Sequence, residues 1–260
     1  MITSNMKKRL KNGEVVIGSF FKTNNQNVVE MMGYAGFEFI IIDNEHSNFD
    51  HVEVEHTIRA ADGVNLDTIV RIPTCNEENI LHCLDSGVTG IQIPSLRSVE
   101  DVKKIVPFTK YYPEGRRGFN GNQRAAKYGF MNIHDYMKMS NENTLLIVQV
   151  ETLEMVEEVD ELCKIPEVDI IFIGPGDLSQ AVGKPMQVND PDVLKVIDSI
   201  IEKTKKSDKI LGIWVGNPKD AQSYIEKGVR YICYMSDTSI FTNALKETGK
   251  QVEELRNIKV

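Results

Sequence analysis

Three carboxylates, an imidazole and a guanidinium stand where apolar runs of this chain stop. FIIID ends at Asp43 and His46 follows; TIVRI carries Arg71; LLIVQV is followed by Glu151; IIFIGPGD ends at Asp177. Two carboxylates that leave coordination positions open to water and substrate oxygens suit Mg²⁺ or Mn²⁺, and Glu151 with Asp177 form such a pair. Each also precedes a helical stretch and reads, taken singly, as a helix N-cap. Jointly, with a third acidic strand end nearby, the metal reading is favoured. A carboxylate beside an imidazole fixes its tautomer and raises its basicity, so Asp43 and His46 read as a proton-moving pair, or more plainly as a loop histidine bonded to an acid. Arg71 could hold a carboxylate or a developing enolate oxygen, or could simply tie two strand ends together as an ion pair. Gln149, two residues before Glu151, points to the same face and could orient a ligand or satisfy the core. The turn Gly174–Asp177 offers backbone N–H groups, at Gly176 and Asp177 among others, of the kind that bind carboxylate or phosphate.

Nearby, EHSNFDHVEVEH gathers His46, His51 and His56 among acids and looks like a metal cluster. His51 and His56, five residues apart, lie about 140° apart round a helix and cannot ligate one ion together. They are expected on the surface of a solvated helix over Phe49–Ala61. His82 and His134 read as structural.

The elements that must position these groups repeat a unit: a polar helical stretch ending at glycine, then a short, continuously apolar run, as in EMMGYAGFEFIIID, LDSGVTGIQIP and IEKGVRYICYM. Glycine suits the left-handed residue that ends a helix, and unbroken apolar runs suit parallel strands covered on both faces. Eight strands are expected, at Val15–Phe21, Glu38–Asp43, Thr68–Ile72, Gly90–Pro94, Leu145–Val150, Asp169–Ile173, Ile210–Val215 and Tyr231–Tyr234, with helices at Asn76–Ser86, Val99–Phe108, Pro191–Lys206 and Pro218–Lys227. That alternation predicts an α/β fold, a (β/α)8 TIM barrel, in one domain over residues 1–260. A doubly wound open sheet is the runner-up, without a GxGxxG or GxxxxGK[ST] fingerprint to support it. The stretch Thr109–Asn143 is polar, rich in Gly, Arg and Asn, and too long for an ordinary connection. It is expected to be a lid or binding loop, or disordered.

A chain of 260 residues, 41% hydrophobic, can bury one large core. Its formal net charge of −8 argues against nonspecific nucleic-acid binding and suits a cytoplasmic protein. The four cysteines show neither CxxC pairing nor zinc-ligand spacing and read as small buried hydrophobes of a reducing compartment. The N-terminal MITSNMKKRLKNG lacks an apolar core and reads as neither signal peptide nor membrane helix.

Taken in order, these motifs resemble the HpcH/HpaI aldolase family of metal-dependent, class II pyruvate aldolases, over about Ile17–Thr242. The resemblance rests on Gly33-Tyr34-Ala35-Gly36-Phe37 through His46, the strand with Arg71, LDSG at Leu84–Gly87, PEGRRG at Pro113–Gly118, VQVET at Val148–Thr152 and FIGPGDLS at Phe172–Ser179. It implies cleavage of a 4-hydroxy-2-oxo acid into pyruvate and an aldehyde. Glu151 and Asp177 match the divalent-metal ligands of the family, for which oxygen donors accept Mg²⁺, Mn²⁺ or Co²⁺. Arg71 matches the arginine of the pyruvate enolate, His46 the acid/base histidine, and Asp43 an acid close to it. Asp85 matches an aspartate that reaches the site from a neighbouring subunit, and Gly176 and Asp177 the amides at the pyruvate carboxylate. The resemblance further implies a homo-oligomer, trimer or hexamer, whose last helix exchanges between subunits. Phe20 stands where some members carry tryptophan, Asn44 replaces the glycine of the commoner DGEH, and Phe119–Tyr128 is only loosely similar. The alternatives are a CoA-thioester lyase of the citrate-lyase type and a barrel that binds a 2-oxo acid without catalysis.

Overall fold

A computed structural model describes residues 4–258 of the chain; the first three residues of the N-terminal stretch and the last two of the expected domain lie outside the described residues. Eight parallel strands, β1 (Val16–Phe21), β2 (Phe39–Asp43), β3 (Asp67–Arg71), β4 (Gly90–Ile93), β5 (Leu145–Val150), β6 (Ile170–Ile173), β7 (Ile210–Val215) and β8 (Tyr231–Ser236), close in sequence order into a barrel. The helices are α1 (Met6–Lys11), α2 (Gln26–Tyr34), α3 (His51–Gly63), α4 (Glu77–Ser86), α5 (Val99–Thr109), α6 (Ile133–Asn143), α7 (Leu153–Glu157), α8 (Val159–Leu162), α9 (Pro175–Ala181), α10 (Pro191–Thr204), α11 (Pro218–Glu226) and α12 (Asp237–Arg256). The fold is a (β/α)8 TIM barrel, as the alternation of elements predicts. No described helix is long and apolar enough to cross a membrane.

The apolar runs are continuous because each strand is buried on both faces, and their residues divide by parity into two cores. Phe20, Phe39, Ile41, Ile69, Ile147, Phe172 and Tyr231 point into the barrel, where Phe39 stacks on Tyr231 with centroids 4.2 Å apart. Ile40, Ile42, Val70, Val148, Ile171 and Ile213 point outward under the helices. Gly18 leaves room for the Phe39 ring, which a Cβ at that position would overlap. Met6 and Leu10 of α1 join the inner core and close the floor of the barrel. Parity then fixes the site: the residues two positions beyond the last inner-core layer must line the open C-terminal mouth.

The stretch from Thr109 to Asn143, expected to be a lid or binding loop, or disordered, is not disordered but largely folded. It contains a 3₁₀ turn at Arg124–Gly129 and the helix α6. Tyr111, Ala126 and Tyr136 make a small core of their own. Arg117 lies 4.5 Å over the Tyr111 ring and donates to Ser140 (3.1 Å) and Tyr136 (3.2 Å). Lys110 donates to the carbonyls of Asn141 (2.6 Å) and Thr144 (3.3 Å), and burial pushes its pKa down to about 8. The expected solvated helix over Phe49–Ala61 is α3, capped by an Asp50–Glu53 capping box, with His51 and His56 exposed. His51 stacks on His82 of α4 at 4.3 Å.

Candidate active site

Asp43 and Arg71 are register partners at the ends of β2 and β3. The Arg71 Nε and Nη2 donate to Asp43 Oδ1 at 2.9 and 2.8 Å, and Nη1 reaches Glu45 Oε2 at 3.0 Å. Lys22, just past β1, brings its ammonium to 3.0 Å from Asp43 Oδ2. Burial by itself would raise the Asp43 pKa, but the hydrogen bonds and charge of Arg71, then those of Lys22, outweigh it and hold the carboxyl below its ordinary value. Asp43 therefore serves the two cations. It does not pair with the His46 ring as DxxH spacing suggests: it accepts only the backbone N–H of His46, at 3.2 Å. The turn after β2 swings that ring outward to 58% exposure, with Nε2 3.8 Å from Glu45 Oε2.

Across the mouth the construction differs. Gln92 of β4 donates to Gln149 of β5 at 2.5 Å, and Gln149 donates to Glu151 Oε2. Glu151 Oε1 accepts the Ser95 N–H (2.6 Å) and hydroxyl (3.1 Å). Gly174, at the top of β6, leaves room for the carboxylate; a Cβ there would stand 2.9 Å from Glu151 Oε2. Burial, with the charge of Asp177 adding to it against the donated bonds of Gln149 and Ser95, pushes the Glu151 pKa up to about 7. Glu151 does not cap the helix that follows it; Thr152 does, accepting from Met155. Asp177 lies in the first turn of α9, behind Gly174 as N-cap, and is exposed. Ser95, Glu151 and Asp177 line one cavity of about 470 Å³.

The donor set fits a divalent cation at Glu151 and Asp177. Two carboxylates line one cavity, and the buried one accepts only neutral donors, with no salt bridge to it among the described residues. Among the described residues no group of three or more His, Cys, Asp or Glu is assembled for a metal. An open, two-carboxylate oxygen site is what Mg²⁺ or Mn²⁺ uses when water and substrate complete the shell.

Asp85 stands apart, on α4 in the outer ring, where Arg117 Nη2 donates to it at 2.6 Å. Four residues of the site escape the sequence reading. Glu45 carries a detectable signal, lying inside DNEH, whereas Lys22, just past β1, carries none. Ser95 acts through its backbone, and Gln92 shows only as a polar residue in an apolar strand.

Residues 16–244 match the family model described as HpcH/HpaI aldolase/citrate lyase. The chain belongs to that family. A 5-keto-4-deoxy-D-glucarate aldolase from Enterobacter sp. (strain 638) is 33% identical over 234 residues, covering 90% of this chain and 91% of that protein. The 5-keto-4-deoxy-D-glucarate aldolase of Shigella boydii serotype 18 is 32% identical over the same length, 90% of each chain. Among solved structures, an HpcH/HpaI aldolase/citrate lyase family protein from Burkholderia cenocepacia J2315 superposes with a TM-score of 0.91 at 28% identity, over 96% of this chain and 100% of that one. The citrate synthase SbnG does so with 0.89 at 28%, over 97% and 99%. This member of the HpcH/HpaI family is an enzyme, a carbon–carbon lyase.

Proposed function

We propose that the enzyme is a divalent-metal-dependent class II aldolase that reversibly cleaves a 4-hydroxy-2-oxo acid into pyruvate and an aldehyde. The observation that carries this reading is the buried Glu151, which lines one cavity with Asp177 and, among the described residues, is bonded only to neutral donors. Its relatives named 5-keto-4-deoxy-D-glucarate aldolases support it. A divalent ion held by Glu151 and Asp177, Mg²⁺, Mn²⁺ or Co²⁺, would polarise the keto group as a Lewis acid.

The chain's own residues supply the rest. The N–H groups of Gly176 and Asp177 bind the 2-oxo acid carboxylate, and Gln149 fixes Glu151. His46 Nε2 takes the proton of the C4 hydroxyl, and Glu45 beside it steadies the imidazolium. The C3–C4 bond breaks, the aldehyde leaves, and its bonding pair stays on C3 as the pyruvate enolate. The Arg71 guanidinium, held flat by Asp43 and Glu45, offsets that charge. Protonation at C3 gives pyruvate.

The active particle is a homo-oligomer. Beyond Ile240, α12 carries Phe241, Leu245, Val252 and Leu255 on one face, all exposed in the single chain. That face suits exchange of the last helix with a second copy, and Asp85 then serves a neighbour's site. The unpaired thiols suit the cytoplasm.

The test is proton exchange at C3 of pyruvate in D₂O. Exchange that requires Mn²⁺ or Mg²⁺ and disappears in Glu151→Ala is expected. Metal-independent exchange, or turnover of a CoA thioester with no aldehyde cleavage, would overturn the reading.

A further inference from the structure

Ser95 contributes more than its backbone. Its N–H and its hydroxyl both meet Glu151 Oε1, at 2.6 and 3.1 Å, while Gln149 donates to Oε2. The turn that brings two donors of one residue to one oxygen is unusual. Ser95 has φ +58°, in the left-handed region where a residue with a Cβ is seldom found. Such a conformation costs free energy, persists only where the surroundings impose it, and clusters at functional sites.

The neighbours of Ser95 hold the segment in place. The Leu96 carbonyl accepts the Thr152 hydroxyl at 3.0 Å, tying this turn to the end of β5. Ser98, not Ser95, caps α5, accepting the Asp101 N–H at 3.2 Å. The Ser95 hydroxyl therefore has no part in ending β4 or starting α5. It has one proton and two carboxylates in reach. Glu45 Oε1 stands 3.5 Å away, but Glu45 already meets Arg71 at 3.0 Å. Glu151 has no salt bridge among the described residues and lies closer, so the proton goes to Glu151. Held at Oε1 by Ser95 and at Oε2 by Gln149, the carboxylate is kept from turning. A Cβ at residue 174 would stand 2.9 Å from Oε2, so Gly174 keeps that side open. Ser95 lines the same cavity as Glu151 and Asp177.

We propose that Ser95 is a positioning residue for the divalent ion: its strained, left-handed turn aims both an N–H and a hydroxyl at Glu151 and fixes that carboxylate at the cavity it shares with Asp177. This rests on the metal reading of the site. The experiment titrates the metal-free protein with Mn²⁺ alone in a calorimeter and measures urea unfolding without metal. Ser95→Ala and Ser95→Gly both lose the hydroxyl and keep the N–H, and only glycine relieves the backbone. Mn²⁺ affinity should fall about tenfold in both, the usual loss when a donor behind a metal ligand is removed. Ser95→Gly should nevertheless withstand more urea than Ser95→Ala. Ser95→Thr keeps the hydroxyl on a β-branched residue that tolerates this φ less well. It should be the least stable of the three and still bind Mn²⁺ more tightly than Ser95→Gly. Affinity that follows stability across the variants, with Ser95→Gly near wild type, would show that Ser95 only shapes the turn and would overturn the proposal, as would unchanged affinity in all. Wild type that binds no Mn²⁺ would instead bring down the metal reading itself, and this proposal with it.

Discussion

Asp43 and Glu151 occupy equivalent places, each an inward-facing carboxylate at the top of a barrel strand, and the protein treats them in opposite ways. At Asp43 burial is overcome by two cations and the acid is held ionised. At Glu151 only amides and a serine donate, and burial carries the pKa to about 7. One carboxylate is paired with two cations; the other is bonded only to neutral donors. The difference divides the mouth into a charge-paired wall on β1–β3 and, on β4–β6, a half whose buried carboxylate meets only neutral donors.

Breaking the wall should cost most. Asp43→Ala strands Arg71 and Lys22 and should destabilise the protein by about 3–5 kcal/mol, the usual result of removing one partner of a buried pair. Urea unfolding measures it, and proton exchange should fall with it. On the other half the sign reverses. Glu151→Gln should abolish metal binding in calorimetry, yet without metal it should be more stable than wild type at pH 8 by on the order of 2 kcal/mol. A carboxyl whose folded pKa is raised favours folding fully below its unfolded value, and that advantage is lost as pH rises through about 7. The stabilisation by Glu151→Gln should therefore shrink toward nothing near pH 4.5. Equal destabilisation by both variants at pH 8 would erase the contrast.

The same titration predicts a pH dependence of loading. The ion must displace the Glu151 proton, so Mn²⁺ affinity should fall about tenfold per pH unit below about 7 and level off above it. Titrations in buffers of different ionisation heat should count the released proton. The smallest effect belongs to Gln92→Leu, which removes one donor of Gln149 and also a buried carbonyl oxygen without a partner. The two changes oppose one another, and a net change within about 1 kcal/mol is expected.

Most of the barrel is legible in the sequence because its strands obey a local rule. Apolar runs covered on both faces, ended by glycine or a polar residue, locate all eight strands to within one or two residues. Gln149 and Glu151 follow by parity from such a run. Asp43 and His46 illustrate the limit. Spacing pairs them, but the turn at Asn44–His46 leaves the strand geometry, so the ring goes outward and the carboxylate goes to Arg71 and Lys22 from other strands. Lys22 itself carries no motif and gains its meaning only when β1 closes against β2. The folding of the 109–143 excursion is hidden from the sequence for a related reason. Its polar residues satisfy one another at long range, as in the reciprocal bonds between Tyr111 and Asn141, and no local pattern announces that.

The amide chain from Gln92 through Gln149 to Glu151 has a practical consequence. Each amide is held by its neighbour, with the last hydrogen bond ending on the carboxylate that gains or loses charge. Placing a cation on Glu151 draws electron density along that line, and the side-chain NH₂ resonances of two glutamines inside the barrel move with it. The enzyme thus carries a native magnetic-resonance gauge of its own charge state, readable without substrate and without any label at the surface.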